Sequence, residues 1–267
     1  MRFKYDHDLH IHSHISACSK DAEQTPERIL QYAKENGLHT VCLTDHFWDE
    51  NVLGATSWYN ANHKFEQITK AKPLPEVDGI KFLFGCETEL DKHCTLGISP
   101  KRFDDFDVIL IPTTHMHMNN FTVASSDYCN PSRLAKLWVE RLEAVFEMNL
   151  PYHKVGIAHL TCGLIAKPRE NYLETLSQIP SEEMCKVFQK AASLGVGIEL
   201  NAFDMDFLEE EKEIVLRPYR IAKECGCKFY CGSDAHHPAD FEKCKNFEKV
   251  IEYLGLEEKD KWLICKY

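Results

Sequence analysis

Asp8-Leu9-His10-Ile11-His12-Ser13 near the start of the chain and Gly232-Ser233-Asp234-Ala235-His236 near its end share one plan. Each joins a short apolar run of strand length to paired side chains of the kinds that bind metals. Alternate residues of a β-strand share a face, so His10 points with His12 and Asp234 with His236. Five further runs lie between these two, making seven at 9–12, 40–44, 81–86, 108–112, 154–158, 196–200 and 228–231. Histidine or a carboxylate returns at every one of the intervening runs: Asp45 and His46, Glu87 and Glu89, His115 and His117, His159, then Glu199 and Asn201.

Helix signals separate the runs. Thr25-Pro26-Glu27 supplies an N-cap and a proline at the first helical position, predicting a helix to Asn36 that Gly37 closes. Asn130-Pro131-Ser132 opens another, with apolar residues at helical spacing from Leu134 to Phe146. Ser181 begins a helix ending near Gly195, 216–225 ends against Gly226, and 239–254 ends at Gly255. The segment 47–80 reads as an excursion over the mouth of the fold with one helix near 61–71. Strands alternating with helices predict parallel β-α units wound into an open sheet or a barrel. In a barrel, all C-terminal strand ends meet on one face, which is where such folds build their sites.

The chain has 267 residues and shows no linker or repeat, so it is expected to form a single domain over 1–267. Hydrophobic residues at 44% and charged residues at 27% exclude disorder and coiled coil. The 31 Lys and Arg against 42 Asp and Glu leave a charge of -11, which argues against long nucleic acids as partners. No apolar run is long enough for a membrane span, and no secretory signal pattern opens the chain. Twelve scattered cysteines without a CxxC pair predict reduced, mostly buried thiols in a cytoplasmic protein. Imidazoles sharing a site with carboxylates suit zinc, iron or manganese.

Asp8-Leu9-His10-Ile11-His12, Leu43-Thr44-Asp45-His46, Gly85-Cys86-Glu87, Ala158-His159 and Ser233-Asp234-Ala235-His236 together resemble the ordered motifs of the PHP (polymerase and histidinol phosphatase) family. The resemblance implies a distorted seven-stranded (β/α)7 TIM-like barrel with two or three divalent metals at its C-terminal face. It further implies that His10, His12, Glu87 and Asp234 hold one metal, and that Glu87 bridges to a second held by His115 and His159. A third site would use His46 and His236 with one ligand from 16–25. The chain departs from the commonest pattern there, leaving Asp21, Cys18 or Glu23 as that ligand, with Asp21 carried forward. Thr114-His115-Met116-His117 offers two histidines, and His115 is nearer the strand end.

Other residues have supporting parts in this reading. Asp45 would hold a ligand imidazole in one tautomer, and Glu199 and Asn201 would orient ligands or substrate. His14, His237, Arg133, Lys167, Arg169 and Arg217 sit where they can reach the mouth. Arg217, before Pro218 at a helix start, is the best-placed phosphate anchor, and His63 is left structural.

Two cations sharing Glu87 would bring a bridging water's pKa toward neutrality and create a hydroxide for in-line attack on phosphate. The departing oxygen would be served by the His46 and His236 site, or by His237 or His117 as acid. The expected activity is a metal-dependent phosphoesterase for a small phosphorylated substrate, with histidinol phosphate the leading name. Alternatives are a nucleotide or oligonucleotide-end phosphoesterase, an amidohydrolase-like enzyme and a metal-stabilised scaffold. The paired Ser-Asp-Ala-His ending speaks against the amidohydrolase, and ligands kept at every strand speak against the scaffold.

Overall fold

The seven apolar runs fold as nine short strands among the described residues, because the run 81–86 breaks at Gly85 and a second short strand follows the run 40–44. The computed structural model describes residues 1–19 and 21–264. The strands are β1 (His7–Ile11), β2 (Thr40–Leu43), β3 (His46–Phe47), β4 (Lys81–Phe84), β5 (Cys86–Thr88), β6 (Ile109–Pro112), β7 (Val155–Ala158), β8 (Gly197–Asn201) and β9 (Lys228–Gly232). All pairs are parallel, in two sheets ordered β1-β2-β4 and β3-β5-β6-β7-β8-β9. The breaks fall at Thr44-Asp45 and at Gly85. Backbone bonds stitch across them: Gly85 N–H to the Leu43 carbonyl at 2.8 Å and Glu87 N–H to Asp45 at 3.2 Å.

The last strand returns to the first. Asp234 N–H donates to the His10 carbonyl at 2.7 Å, and His12 N–H to Ala235 at 3.0 Å. The pairing of β1 with β2 shifts between Asp8 and Ile11, a bulge that re-aims side chains beside the two histidines.

Helices α1 (Pro26–Glu35), α4 (Pro131–Phe146) and α6 (Ser181–Leu194) follow their sequence signals, with Thr25 and Asn130 accepting the Arg28 and Arg133 N–H groups. The excursion at 47–80 carries two short helices, α2 (Ser57–Asn62) and α3 (Phe65–Ile68), where one was expected. Helix α5 (Arg169–Gln178) was not expected. Helix α7 spans Lys212–Glu224, so Pro218 is inside it and Arg217 is not at a helix start. The helix continues past the missing proline N–H because Val215, Leu216, Tyr219 and Ala222 bury a continuous stripe. The expected final helix divides into a 3-10 stretch, Pro238–Lys245, and α8 (Asn246–Leu254).

Strand residues on one side, such as Ile11, Ile109, Ile157 and Phe229, pack with helix residues including Trp138 and Phe188. A second cluster joins Leu9, Cys42, Leu83, Leu110 and Tyr230 from five different strands. The described cysteines are free. Six of them are buried, but Cys18 and Cys129 are exposed, and Cys265 lies outside the described residues. No helix among the described residues is long and apolar enough to cross a membrane.

Candidate metal centre

Glu87 on β5 is 1% exposed, yet neither of its carboxylate oxygens has a hydrogen-bond partner. Imidazole nitrogens surround it instead. His46 Nδ1 lies 2.8 Å from Oε2, His12 Nε2 3.4 Å and His10 Nε2 3.6 Å, while His159 Nε2 is 3.6 Å from Oε1. Asp234, just past β9, faces the same nitrogens from the other side, with Oδ1 3.2 Å from His12 Nε2 and Oδ2 3.4 Å from His159 Nε2. Buried polar atoms are almost always hydrogen-bonded. A carboxylate stripped of hydrogen bonds and ringed by lone-pair nitrogens has the donor chemistry of a cation site, and the residues fit divalent transition metals. His10, His12 and Asp234 form one group with donor atoms within 4.8 Å of one another, and His10, Glu87 and His159 form another.

Neighbouring groups fix the orientation of these side chains. Glu199 on β8 takes His10 Nδ1 at 2.7 Å on one oxygen, and on the other the His159 N–H at 2.8 Å and the Asn201 amide at 3.2 Å. With Nδ1 donating to Glu199, the His10 Nε2 lone pair is left for a cation. Gly232 makes this approach possible. A Cβ there would collide with the Glu199 carboxylate and lie 2.6 Å from the His10 Cβ. His159 and Asp234 both adopt left-handed backbone, with φ of 57° and 55°, uncommon for residues other than glycine and a feature that concentrates at functional sites. Buried Asp8 accepts Ser233 N–H at 2.9 Å and Tyr32 O–H at 3.0 Å, and burial pushes its carboxyl up to about 6. Arg141, itself buried, ties together the loops after β5 and β6 by donating to the carbonyls of Leu90, Asp91, Thr113 and Thr122.

Burial disfavours charge on all these groups, but opposite charges at close range win. The imidazoles of His46 and His10 hold Glu87 well below the usual carboxylate range, and those of His159 and His10 do the same for Asp234. Against burial, Glu199 and Glu87 raise His10, Cys18 and Glu87 raise His46, and Asp234 raises His159. A cation competes for those same nitrogen lone pairs.

His115 Nδ1 bonds Glu89 at 2.8 Å, and its buried Nε2 has no partner. It groups with His159 and Cys162, whereas His117 joins no such group among the described residues and lines the cavity. Burial and the neighbouring His115 lower the His117 imidazole to about 4. Around His46 and His236 the structure brings Cys18, and not Asp21, close to the imidazoles. Cys18 groups there with His12, His46 and His236, while Asp21 bonds the Glu23 N–H and faces the exposed His237 at 3.6 Å. Desolvation of the sulfur at the cavity works against it, but the His46 imidazole and hydrogen bonds from His236 and His46 bring the Cys18 thiol down to about 3. The sulfur on the Cys18 side raises His236 to about 9 despite burial.

Arg217 does not reach the mouth. Its guanidinium caps the end of α5 on the Leu176 and Ile179 carbonyls. Asn201 is fully buried, holding Glu199 and the N–H groups of Phe203 and Asp204, and does not line the cavity. Asp45 accepts the Ser13 N–H and hydroxyl, each at 2.7 Å, and sits 3.9 Å from His12 Nδ1. His63, left structural by its sequence context, is buried and lines the cavity; burial holds it at about 4.

Residues 8–203 match the PHP domain family, well over half of the chain. The chain belongs to the PHP family. It is 25% identical over 249 residues to a protein named "Probable phosphatase" from Caldicellulosiruptor bescii, covering 91% of this chain and 86% of the relative. A protein of the same name from Caldicellulosiruptor saccharolyticus is 24% identical over 247 residues, with 92% and 87% covered. A crystal structure of histidinol phosphate phosphatase from Lactococcus lactis, complexed with zinc, L-histidinol and phosphate, superimposes with a TM-score of 0.64 at 18% identity over 94% of both chains.

In this PHP chain the metal-type side chains floor a cavity of about 310 Å³. Trp58, Tyr59, Met118 and Leu164 wall it. An adjoining cavity of about 330 Å³ shares His159 and Asp234 and holds Arg169, which pairs with Glu211. Asp204, 3.6 Å from His159 Nδ1, carried no sequence signal because it follows no strand pattern.

Proposed function

We propose that this PHP chain is a metal-dependent phosphatase of small phosphomonoesters, with histidinol phosphate the leading named substrate. The carrying observation is Glu87, buried without a hydrogen bond amid four imidazoles. We read the chain as one domain, a closed seven-stranded barrel. The bonds from β9 back to β1, and the contact of Leu9, Cys42, Leu83, Leu110 and Tyr230 across strands, support closure. Free thiols accord with a cytoplasmic setting.

His10, His12, Glu87 and Asp234 would hold one cation, and Glu87, His115 and His159 a second. His46 and His236 would serve a third. Zinc, iron or manganese bound there would polarise phosphate oxygens and make hydroxide available near neutral pH. The protein's own part is positional. Glu199 keeps His10 Nδ1 protonated, Glu89 does the same for His115, and Arg141 holds the loops that carry Glu89 and His115. Trp58, Tyr59 and Leu164 restrict water around a substrate of small volume, and His117 meets it from the wall. A net charge of -11 disfavours long polyanions. A nucleoside monophosphate is the second reading, because Trp58 is 61% exposed at the cavity and offers a stacking face.

The test is metal analysis of protein purified without added metal. It is followed by hydrolysis of histidinol phosphate, sugar phosphates, nucleoside monophosphates and an aryl phosphate. Turnover that requires metal and favours histidinol phosphate is expected. Metal-loaded protein inert across the panel, or metal-free protein with full turnover, would overturn the reading.

A further inference from the structure

We propose that Cys18 supplies a thiolate to the cation site of His46 and His236, making it a sulfur-containing site that selects a soft divalent ion such as zinc. The proposal rests on the metal-dependent reading above and adds to it the identity of one donor.

The Cys18 sulfur and one ring nitrogen each of His12, His46 and His236 lie within 4.8 Å of one another. Bonds of about 2.0–2.3 Å place the donors of a tetrahedral zinc site about 3.3–3.8 Å apart, so small side-chain rotations close this group around an ion. One of its members has a ring nitrogen to spare: His12 is wholly buried, its Nε2 faces Glu87 and Asp234, and its Nδ1 lacks a hydrogen-bond partner. Neither competing donor on the same loop joins this group: Asp21 bonds the Glu23 N–H, and among the described residues only Cys18 of the three clusters with His12, His46 and His236.

The loop that carries Cys18 is anchored to both strand ends it must serve. Ser19 Oγ donates to the His236 carbonyl at 2.6 Å, and the Gln24 amide bridges the carbonyls of His12 at 3.0 Å and Ala235 at 3.2 Å. A thiolate among imidazoles is a soft donor set, which favours zinc over manganese or magnesium.

The test uses the full chain loaded with cobalt(II) or zinc. Cobalt should give a near-ultraviolet sulfur-to-metal charge-transfer band that is lost in Cys18→Ser but kept in Cys162→Ser, the control for the thiol near His115 and His159. Zinc should slow alkylation of Cys18 by about tenfold or more, because a metal-bound sulfur is withheld from the reagent. Cys129, also exposed, should react at an unchanged rate. Cys18→Ser should lose one zinc per chain, and Cys18→Asp should regain it without the band. A band that persists in Cys18→Ser, or Cys18 alkylation indifferent to zinc, overturns the proposal even if the enzyme is an active phosphatase. Zinc-protected Cys18 in a protein that hydrolyses no phosphomonoester upholds the thiolate site and rejects the phosphatase reading instead.

Discussion

Glu199→Gln tests the claim that a buried carboxylate sets the His10 tautomer. Glu199 accepts on both oxygens, one from His10 Nδ1 and the other from the His159 N–H and the Asn201 amide. Glutamine has one acceptor oxygen and one NH2, so it cannot serve both sides. If the oxygen stays with His10, two buried donors face an NH2, at about 1–3 kcal/mol each. If it turns to His159 and Asn201, only His10 is affected, and the imidazole adapts by moving its proton from Nδ1 to Nε2. The second arrangement loses less and should prevail. It protonates the nitrogen that lies 3.6 Å from Glu87 and 3.4 Å from Asp234, so the loss appears in metal binding. Apo stability should fall by less than about 1 kcal/mol. Metal affinity should fall by about 10–100-fold, the usual effect of removing a group that orients a metal-binding histidine. Chelator competition gives the affinity, and thermal unfolding of metal-free protein gives the stability. A variant with parental metal affinity would refute the reasoning.

Further outcomes follow from the same geometry. His115→Ala should lose a metal, whereas His117→Ala should retain the metals and change mainly KM; equal metal loss in both would show the distinction to be false. Gly232→Ala should cost about 1–3 kcal/mol of stability, because a new Cβ meets the Glu199 carboxylate and the His10 Cβ. An unchanged melting temperature would mean the clash relaxes freely. The imidazole of His7 and, against burial, the ammonium of Lys261 hold Asp6 well below its ordinary range. Such a depressed carboxylate contributes stability above its unfolded pKa of about 3.9, and that contribution is lost as pH falls below it. Asp6→Asn should therefore cost about 0.5–1 kcal/mol at pH 7, with the gap from the parent closing below about pH 4 in thermal unfolding scans.

The strand order and most of the metal-type residues were legible because both rest on patterns the chain must show. Apolar runs of four or five residues cannot stay in water, and the side chains at their C-terminal ends have one face on which to gather. Helix α5 was not legible, since its apolar residues form a weak stripe and Pro168, its N-cap, contributes no side-chain hydrogen bond. Arg217 was misread because a proline usually marks a helix start, and only the buried stripe of α7 shows that the helix began earlier. Cys18, Asp21 and Glu23 lie in a turn without periodicity, so only the closure of that loop onto His236 distinguishes them. Asn201 sits at the C-terminal end of its strand, where the sequence places site residues, yet its side chain is spent on the turn that follows β8.

The most direct test of the central claim is metal counting on Glu87→Gln beside Glu89→Gln. Glu87 has both oxygens free of hydrogen bonds and faces four imidazoles, so replacing one oxygen by an amide nitrogen removes a donor and the charge that keeps two cations together. Glu89 uses one oxygen on His115 Nδ1, a bond that glutamine can still accept. Glu87→Gln should remain folded, lose at least one metal per chain and nearly all hydrolysis, while Glu89→Gln stays far closer to the parent. A Glu87→Gln protein with its full metal complement and near-parental turnover, or a Glu89→Gln protein more damaged than it, would contradict the account.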